Sequence, residues 1–308
     1  MPRPTIIDCD PGTDDAIALW LALASPELDV RLITVVGGNV GLDRTLANAR
    51  AIVGLSGKDV PVVAGADRAL LAPFADAAYV HGDNGLGGLE LPEGPPVAPG
   101  LAVDALRAAL HAAAPASVTL VGIGPATNLG LLLATEPQLA GKLAEIVLMT
   151  GALAEGNVTA SAEFNAWNDP EALAIVLHAG VPVTLATLDL TNQALCTPAH
   201  IAALRAAGQG ACARAAAAIW EAVPPSRRAG GLGHEQHDAS AIMWLVAPHL
   251  FTGRALHASV DLGPGPGRGR TVIDRWGRGR QTPNARYLET LDPAGFFDLL
   301  IRRLVSLP

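Results

Sequence analysis

The chain has 308 residues, half of them hydrophobic, and a formal charge of −8. Length and apolar content suffice for a large core, and the acidic balance argues against nucleic acid or anionic membranes as partners. No apolar run reaches the roughly 20 residues of a membrane span, no basic-then-apolar leader opens the chain, and Cys9, Cys196 and Cys212 lack a metal-binding spacing, so the expectation is a reduced, cytoplasmic protein.

In chain order, Ile6-Ile7 leads into Asp8-Cys9-Asp10-Pro11-Gly12-Thr13-Asp14-Asp15, and the apolar stretch Ala16 to Leu23 follows. This predicts a strand, a tight turn and a helix. Four carboxylates crowd into the hand-over. Any one of them alone reads as a helix cap or a strand-end acid. Together they need a neutralising partner, and oxygen-only ligands suit a hard cation such as Ca²⁺ or Mg²⁺ better than Zn²⁺. Val30 to Val36 predicts a buried strand, with Asn39 just past its end. A helix over 42–55 and a strand over 60–65 complete a β-α-β-α-β order. That order predicts an α/β fold: an open, mostly parallel sheet with helices on both faces and the site at the C-terminal ends of the strands.

Residues 66–100 are less regular. The loop His81-Gly82-Asp83-Asn84-Gly85-Leu86-Gly87-Gly88 reads equally as a surface turn or a binding loop. A helix is expected over 101–113. The strand 117–124 enters a glycine turn, where Pro125 opens another helix. The strand 145–151 contains Met149, by composition a core residue. Asn157, Glu163 and Asn165 surround Phe164, a set that suits a sugar with hydroxyls on its rim and C–H groups on its face. Asp169-Pro170 reads as a cap followed by a first helical residue.

A strand over 181–188, a helix from Thr197-Pro198 and a helix over 211–223 follow. Pro224 to Gly233 breaks the pattern and reads as a lid. His237-Asp238 precedes a helix over 239–246. Here the residue types alone allow Asp238 as an N-cap and leave His237 unassigned. The tail over 256–287 reads as β-hairpins. Arg268, Arg270, Arg275, Arg278 and Arg280 cluster there, by default on a solvated face, with phosphate binding as the weaker alternative. A helix over 293–305 closes the chain. No repeat or linker divides residues 1–308, so one domain is expected.

Asp8 to Ala16 resembles the N-terminal fingerprint of the nucleoside hydrolases, the inosine–uridine preferring nucleoside N-ribohydrolases. The resemblance continues in the His81 loop, the turn Gly124-Pro125-Ala126-Thr127-Asn128, the stretch Ala162 to Ala172 and the pair His237-Asp238. It implies a Rossmann-like nucleoside hydrolase fold and Ca²⁺-dependent hydrolysis of the N-glycosidic bond of ribonucleosides in nucleoside salvage. The implied ligands are Asp10, Asp15, Asp238 and the backbone carbonyl of Ile123. Relatives often carry Thr at the Ile123 position, but a carbonyl ligand does not depend on the side chain. Asp10 would be the general base on the attacking water, whose pKa the cation lowers. Asp14 and Asn165 would hold the ribose 2′- and 3′-hydroxyls, Asn39 would position the water, and Asn157 and Glu163 would hold the 5′-hydroxyl. Met149 and Phe164 would flank the ribose, and the His81 loop would lie beside the site. His237 would protonate the leaving base or, alternatively, brace Asp238.

The purine-specific branch stacks its base between tryptophans near the His81 loop. Tyr79 and Val80 stand there instead, and with His237 this favours a broad or pyrimidine-preferring enzyme. A homodimer or homotetramer is implied. Two rival readings are a haloacid dehalogenase-like phosphatase, from Asp8-Cys9-Asp10, and a non-catalytic nucleoside binder. The first lacks a Gly-Thr directly after its second Asp, and Lys58 and Lys142 are the only lysines.

Overall fold

The computed structural model describes residues 1–308. Its first half alternates as the apolar periodicity requires: β1 (Arg3–Cys9), α1 (Thr13–Ala24), β2 (Leu28–Val35), α2 (Leu42–Ser56), β3 (Val62–Ala64), the single turn α3 (Ala78–His81), α4 (Ala102–Ala112), β4 (Val118–Gly122), α5 (Thr127–Thr135) and β5 (Leu143–Met149). Then come α6 (Phe164–Asn168), α7 (Pro170–Leu177), β6 (Val183–Ala186), α8 (Leu188–Thr191), β7 (Leu195–Cys196), α9 (Pro198–Ala207), α10 (Ala211–Ala222) and β8 (His234–Glu235). The chain ends with α11 (His237–Val246), β9 (Phe251–Leu256), β10 (Ala258–Val260), β11 (Thr271–Ile273), β12 (Ala285–Leu291) and α12 (Pro293–Val305). No helix is long and apolar enough to cross a membrane.

Eight strands form one sheet in the order β3-β2-β1-β4-β5-β6-β12-β9, and within it only β9 runs antiparallel to its neighbour. Alternate residues of each strand feed opposite faces. Ile7, Val121 and Val147 join the core under α1, α10, α11 and α12, while Ile6, Leu120 and Ile146 join the core under α4, α5 and α7. Strands that feed two cores must be apolar on both sides, which is why β4 and β5 read as nearly unbroken apolar runs. Beyond its acidic first turn, α1 is apolar all round and almost wholly buried. Its Trp20 satisfies its indole N–H on the Ile52 carbonyl at 3.1 Å.

The tail departs from the hairpin expectation. β10–β11 is a hairpin and β12 lies antiparallel to β9, but β12 also pairs in parallel with β6, Ala285 opposite Val183. The sheet order reverses between β1 and β4. Connections leave these two strands in opposite directions, which opens a crevice at their C-terminal ends. Asp8 to Asp10 and Ile123 end there.

Candidate active site

The turn after β1 gathers its carboxylates by hydrogen bonds from its own backbone. Asp15 Oδ2 accepts from Gly12 N–H at 2.9 Å, and Oδ1 accepts from Asp10 N–H at 3.2 Å. Asn39, at the end of β2, clamps the same pair. Its backbone N–H donates to Asp10 Oδ2 at 2.8 Å, and its side-chain amide donates to Asp15 Oδ2 at 3.0 Å and to the Asp10 carbonyl at 3.1 Å. Asn39 therefore holds carboxylates rather than standing free.

α11 brings Asp238 to this cluster. The helix begins at His237 with Gln236 as its cap, so Asp238 lies in the first turn and is not the N-cap that residue type alone allowed. Single carboxylate oxygens of Asp14, Asp15 and Asp238 lie within 4.8 Å of one another. Asp10, Asp15 and Asp238 are buried. Burial, and then the charge of Asp14, push the Asp15 carboxyl up to about 7 against its hydrogen bonds. Burial and then Asp15 drive Asp10 well above the usual carboxylate range, and burial with Asp14, Asp15 and Asp10 does the same to Asp238. One oxygen of Asp10, Oδ1, is buried without any hydrogen-bond partner. Mutually repelling, partly orphaned carboxylates of this kind are a donor set that fits a hard divalent cation. The remaining N-terminal acid, Asp8, turns elsewhere: its Oδ1 accepts from Thr34 and Asn128, its Oδ2 is buried without a partner, and burial raises it to about 7.

Above the carboxylates is a cavity of about 260 Å³, lined by Asp14, Asn39, His81, Ile123, Met149, Asn157, Glu163, Phe164, Asn165, His237 and Asp238 among others. Asn165 donates to the carbonyls of Ile123 and Met149, both at 3.0 Å, which leaves its own Oδ1 free to accept. Asn157 Oδ1 accepts from Phe164 N–H at 2.9 Å, which leaves its NH₂ free to donate. Glu163 lines the cavity and has a structural task as well. It is the N-cap of α6 and accepts from Asn165 N–H, Ala166 N–H, Gly151 N–H and Thr150 Oγ1. Oε2 takes three of these donors and Oε1 one, so the carboxylate braces the Asn165 turn while Oε1 keeps an acceptor site. Asp169 caps α7 as expected, accepting from Ala172 N–H at 3.0 Å.

His81 Nδ1 accepts from Thr13 N–H at 3.2 Å, so its proton resides on Nε2, and burial lowers its pKa. His237 Nδ1 lies 2.7 Å from Thr191 Oγ1, and this is the hydrogen bond of its side chain, not one to Asp238. The expected lid, residues 224–233, is mostly exposed and closes on itself through Ser226 N–H to the Gly233 carbonyl at 2.7 Å. Arg228 ties it to the Gly156 carbonyl across the cavity mouth at 3.0 Å. In the arginine-rich tail, Arg268 pairs with Glu171 and Arg275 with Glu289, which uses part of that cluster in ion pairs.

The sequence reading missed one wall of the cavity: Ile219, Trp220, Val223, His234 and Gln236. Trp220 Nε1 donates to Gln236 Oε1 at 3.0 Å, which joins α10 to the segment before α11. Nothing local in an Ala-rich helix marks Trp220 as a cavity wall.

A family model described as inosine-uridine preferring nucleoside hydrolase matches residues 5–298. The chain belongs to this family. Among curated relatives, the pyrimidine-specific ribonucleoside hydrolases RihA of Salmonella gallinarum and Salmonella typhimurium are each 42% identical to this nucleoside hydrolase, over 99% of both chains. Among solved structures, the purine-preferring ribonucleoside hydrolase from Gardnerella vaginalis superposes with a TM-score of 0.91 at 30% identity, covering 99% of this chain and 98% of that one. The plant nucleoside hydrolase PpNRh1 gives a TM-score of 0.91 at 29% identity and 99% coverage of both chains.

Proposed function

We propose that this nucleoside hydrolase cleaves the N-glycosidic bond of ribonucleosides, with pyrimidine nucleosides preferred. One observation carries the reading: Asp14, Asp15 and Asp238 converge, with Asp10 beside Asp15, beneath a cavity where the Asn165 Oδ1 and the Asn157 NH₂ are free to meet hydroxyls. Asp10, Asp15, Asp238 and the Ile123 carbonyl are the ligands we assign to Ca²⁺. When bound, the cation offsets the repulsion among these carboxylates and lowers the pKa of a coordinated water.

The chain's own residues do the rest. Asn39 fixes Asp10 through Oδ2, so Oδ1 accepts the proton of the attacking water. Asp14 and the free Oδ1 of Asn165 accept from the ribose 2′- and 3′-hydroxyls. The Asn157 NH₂ donates to the 5′-hydroxyl, while Glu163 keeps the Asn165 turn in place. Met149 and Phe164 cover the sugar's apolar face. The acidic surround favours the positive charge that develops on the sugar as the bond to the base breaks. Thr191 orients His237 through Nδ1, leaving the other nitrogen to protonate the departing base. The pyrimidine preference rests on the RihA relatives, which are more similar to this chain than the purine-preferring structural neighbour is. We extend the reading to one domain, a homodimer or homotetramer, and a cytoplasmic location.

The phosphatase alternative fails on placement. Lys142 enters β5 at its N-terminal end and donates to the Ala113 carbonyl, and Lys58 precedes β3 at the same end of the sheet, opposite the carboxylates. The test is ribose release from uridine, cytidine, inosine and 2′-deoxyuridine in the presence of Ca²⁺. Uridine and cytidine should be fastest, and 2′-deoxyuridine slower by roughly 10⁴-fold, as for a site built to bind a hydroxyl. A chain that binds nucleosides without releasing ribose, or that releases phosphate from a monoester, would overturn the assignment.

A further inference from the structure

We propose that His234 is a specificity-determining residue of this site: its imidazole hydrogen-bonds the edge of the nucleobase and selects among bases. The inference rests on the nucleoside reading and deepens it.

Three histidines line the cavity. Two have protein partners: His81 on Thr13 and His237 on Thr191. His234 has none. It is only 5% exposed, and its Nε2 is buried without a hydrogen-bond partner. A buried polar group left unpaired is costly, and a native site keeps one where a ligand supplies the partner. The backbone beneath it is fixed. β8 pairs with β7, His234 opposite Cys196, and a Cβ on the preceding Gly233 would overlap the Cys196 carbonyl. The ring is therefore held against the cavity by a strand, not carried on the exposed segment before it.

Its position points to the base rather than the sugar. The groups suited to ribose come from the C-terminal ends of β1, β4 and β5. His234 enters with α10 and the wall formed by Ile219, Trp220 and Val223, an apolar surface that suits a flat heterocycle. Burial lowers its pKa and keeps the ring neutral. A neutral imidazole has one N–H donor and one acceptor, and its tautomer can exchange them. It can donate to the ring nitrogen of cytosine or accept from the N–H at the corresponding position of uracil, so one residue serves both pyrimidines.

The experiment compares wild type, His234→Phe and His234→Asn on uridine, cytidine, inosine and 4-nitrophenyl riboside, with Ca²⁺ present. The nitrophenyl ring lacks the carbonyl and ring nitrogens of a base. His234→Phe should lower kcat/KM for uridine and cytidine by about 10–100-fold, and for inosine by a different factor. Turnover of 4-nitrophenyl riboside should stay within about twofold. His234→Asn, which keeps a donor and an acceptor, should recover part of the loss. The thermal midpoint of ligand-free His234→Phe should equal or exceed that of wild type, because the orphaned nitrogen is gone. Equal losses on all four substrates, no loss on any, or a lowered midpoint would make His234 a packing residue and overturn the proposal. Wild-type turnover of uridine separates the two levels: if it is absent, the nucleoside reading fails and this inference with it; if it is present with uniform variant losses, only this inference fails.

Discussion

Asp15 carries two duties at once. As the third residue of α1 it accepts backbone N–H groups of the turn, an ordinary first-turn task, yet burial and Asp14 hold its carboxyl near 7. Asp15→Ala should therefore remove most of the Ca²⁺ affinity and lower kcat for uridine by well over the roughly 10–100-fold typical of outer-shell losses. Calcium titration by calorimetry and ribose release check both effects, and full activity after exhaustive chelation would contradict the assignment. His237 separates by substrate. A general acid contributes typically about 10²–10⁴-fold, and only where the leaving group needs a proton. His237→Ala should slow uridine strongly and leave 4-nitrophenyl riboside, whose leaving group departs as a stable anion, nearly untouched. Equal losses would move His237 from acid to scaffold. Glu163 shows what residue type leaves out: a lone Glu beside Asn and Phe reads as a sugar ligand, and its three backbone and one hydroxyl donors add a brace for the Asn165 turn.

The strand ends govern how Asp10 is presented. β2 and β4 run out into Gly38 and Gly124, and a Cβ at either would overlap the Asp10 carboxylate. These glycines are required for close approach rather than for an unusual φ, because neither has a positive φ. Gly38→Ala should push Asp10 off the Asn39 N–H and reduce kcat/KM by about 100-fold or more, since misplacement by around 1 Å can cost that much. The same change should leave the thermal midpoint within a few degrees. Circular dichroism melts beside uridine kinetics provide the check. A variant that retained full activity would show that Asp10 tolerates displacement. α10 works in the same way from the other side: its buried Trp220, bonded to Gln236, sets the distance between the apolar wall and α11.

At the scale of the whole molecule, the three cysteines report on the core. Cys9, Cys196 and Cys212 are free and buried. Burial drives the Cys196 thiol up to about 12 and the Cys212 thiol up to about 11, and burial with the neighbouring carboxylates holds Cys9 well above the usual thiol range, so none offers a thiolate. None should react with a disulfide reagent at neutral pH in the native protein, and all three should react in denaturant. The rate in native buffer should follow global opening, because Cys9 and Cys212 belong to one continuous core with α1 and α12. Fast labelling of any one thiol would show that this core opens piecemeal.

The sequence by itself determined the alternation of strands and helices in the first half, the parallel sheet and the carboxylate turn after β1. These are written in local periodicity and in eight contiguous residues, where chemistry and position coincide. It also marked His237-Asp238, though only through resemblance, because a lone His-Asp pair has many structural uses. Tertiary structure decided the remainder. That β12 joins β6 as well as β9 depends on which sheet edge is free when residues some hundred positions apart meet, and strand periodicity does not encode that choice. The wall of Trp220, His234 and Gln236 exists only because α10 and β8 pack beside α1 and α11. Its residues carry no shared spacing, so their common purpose arises from packing alone.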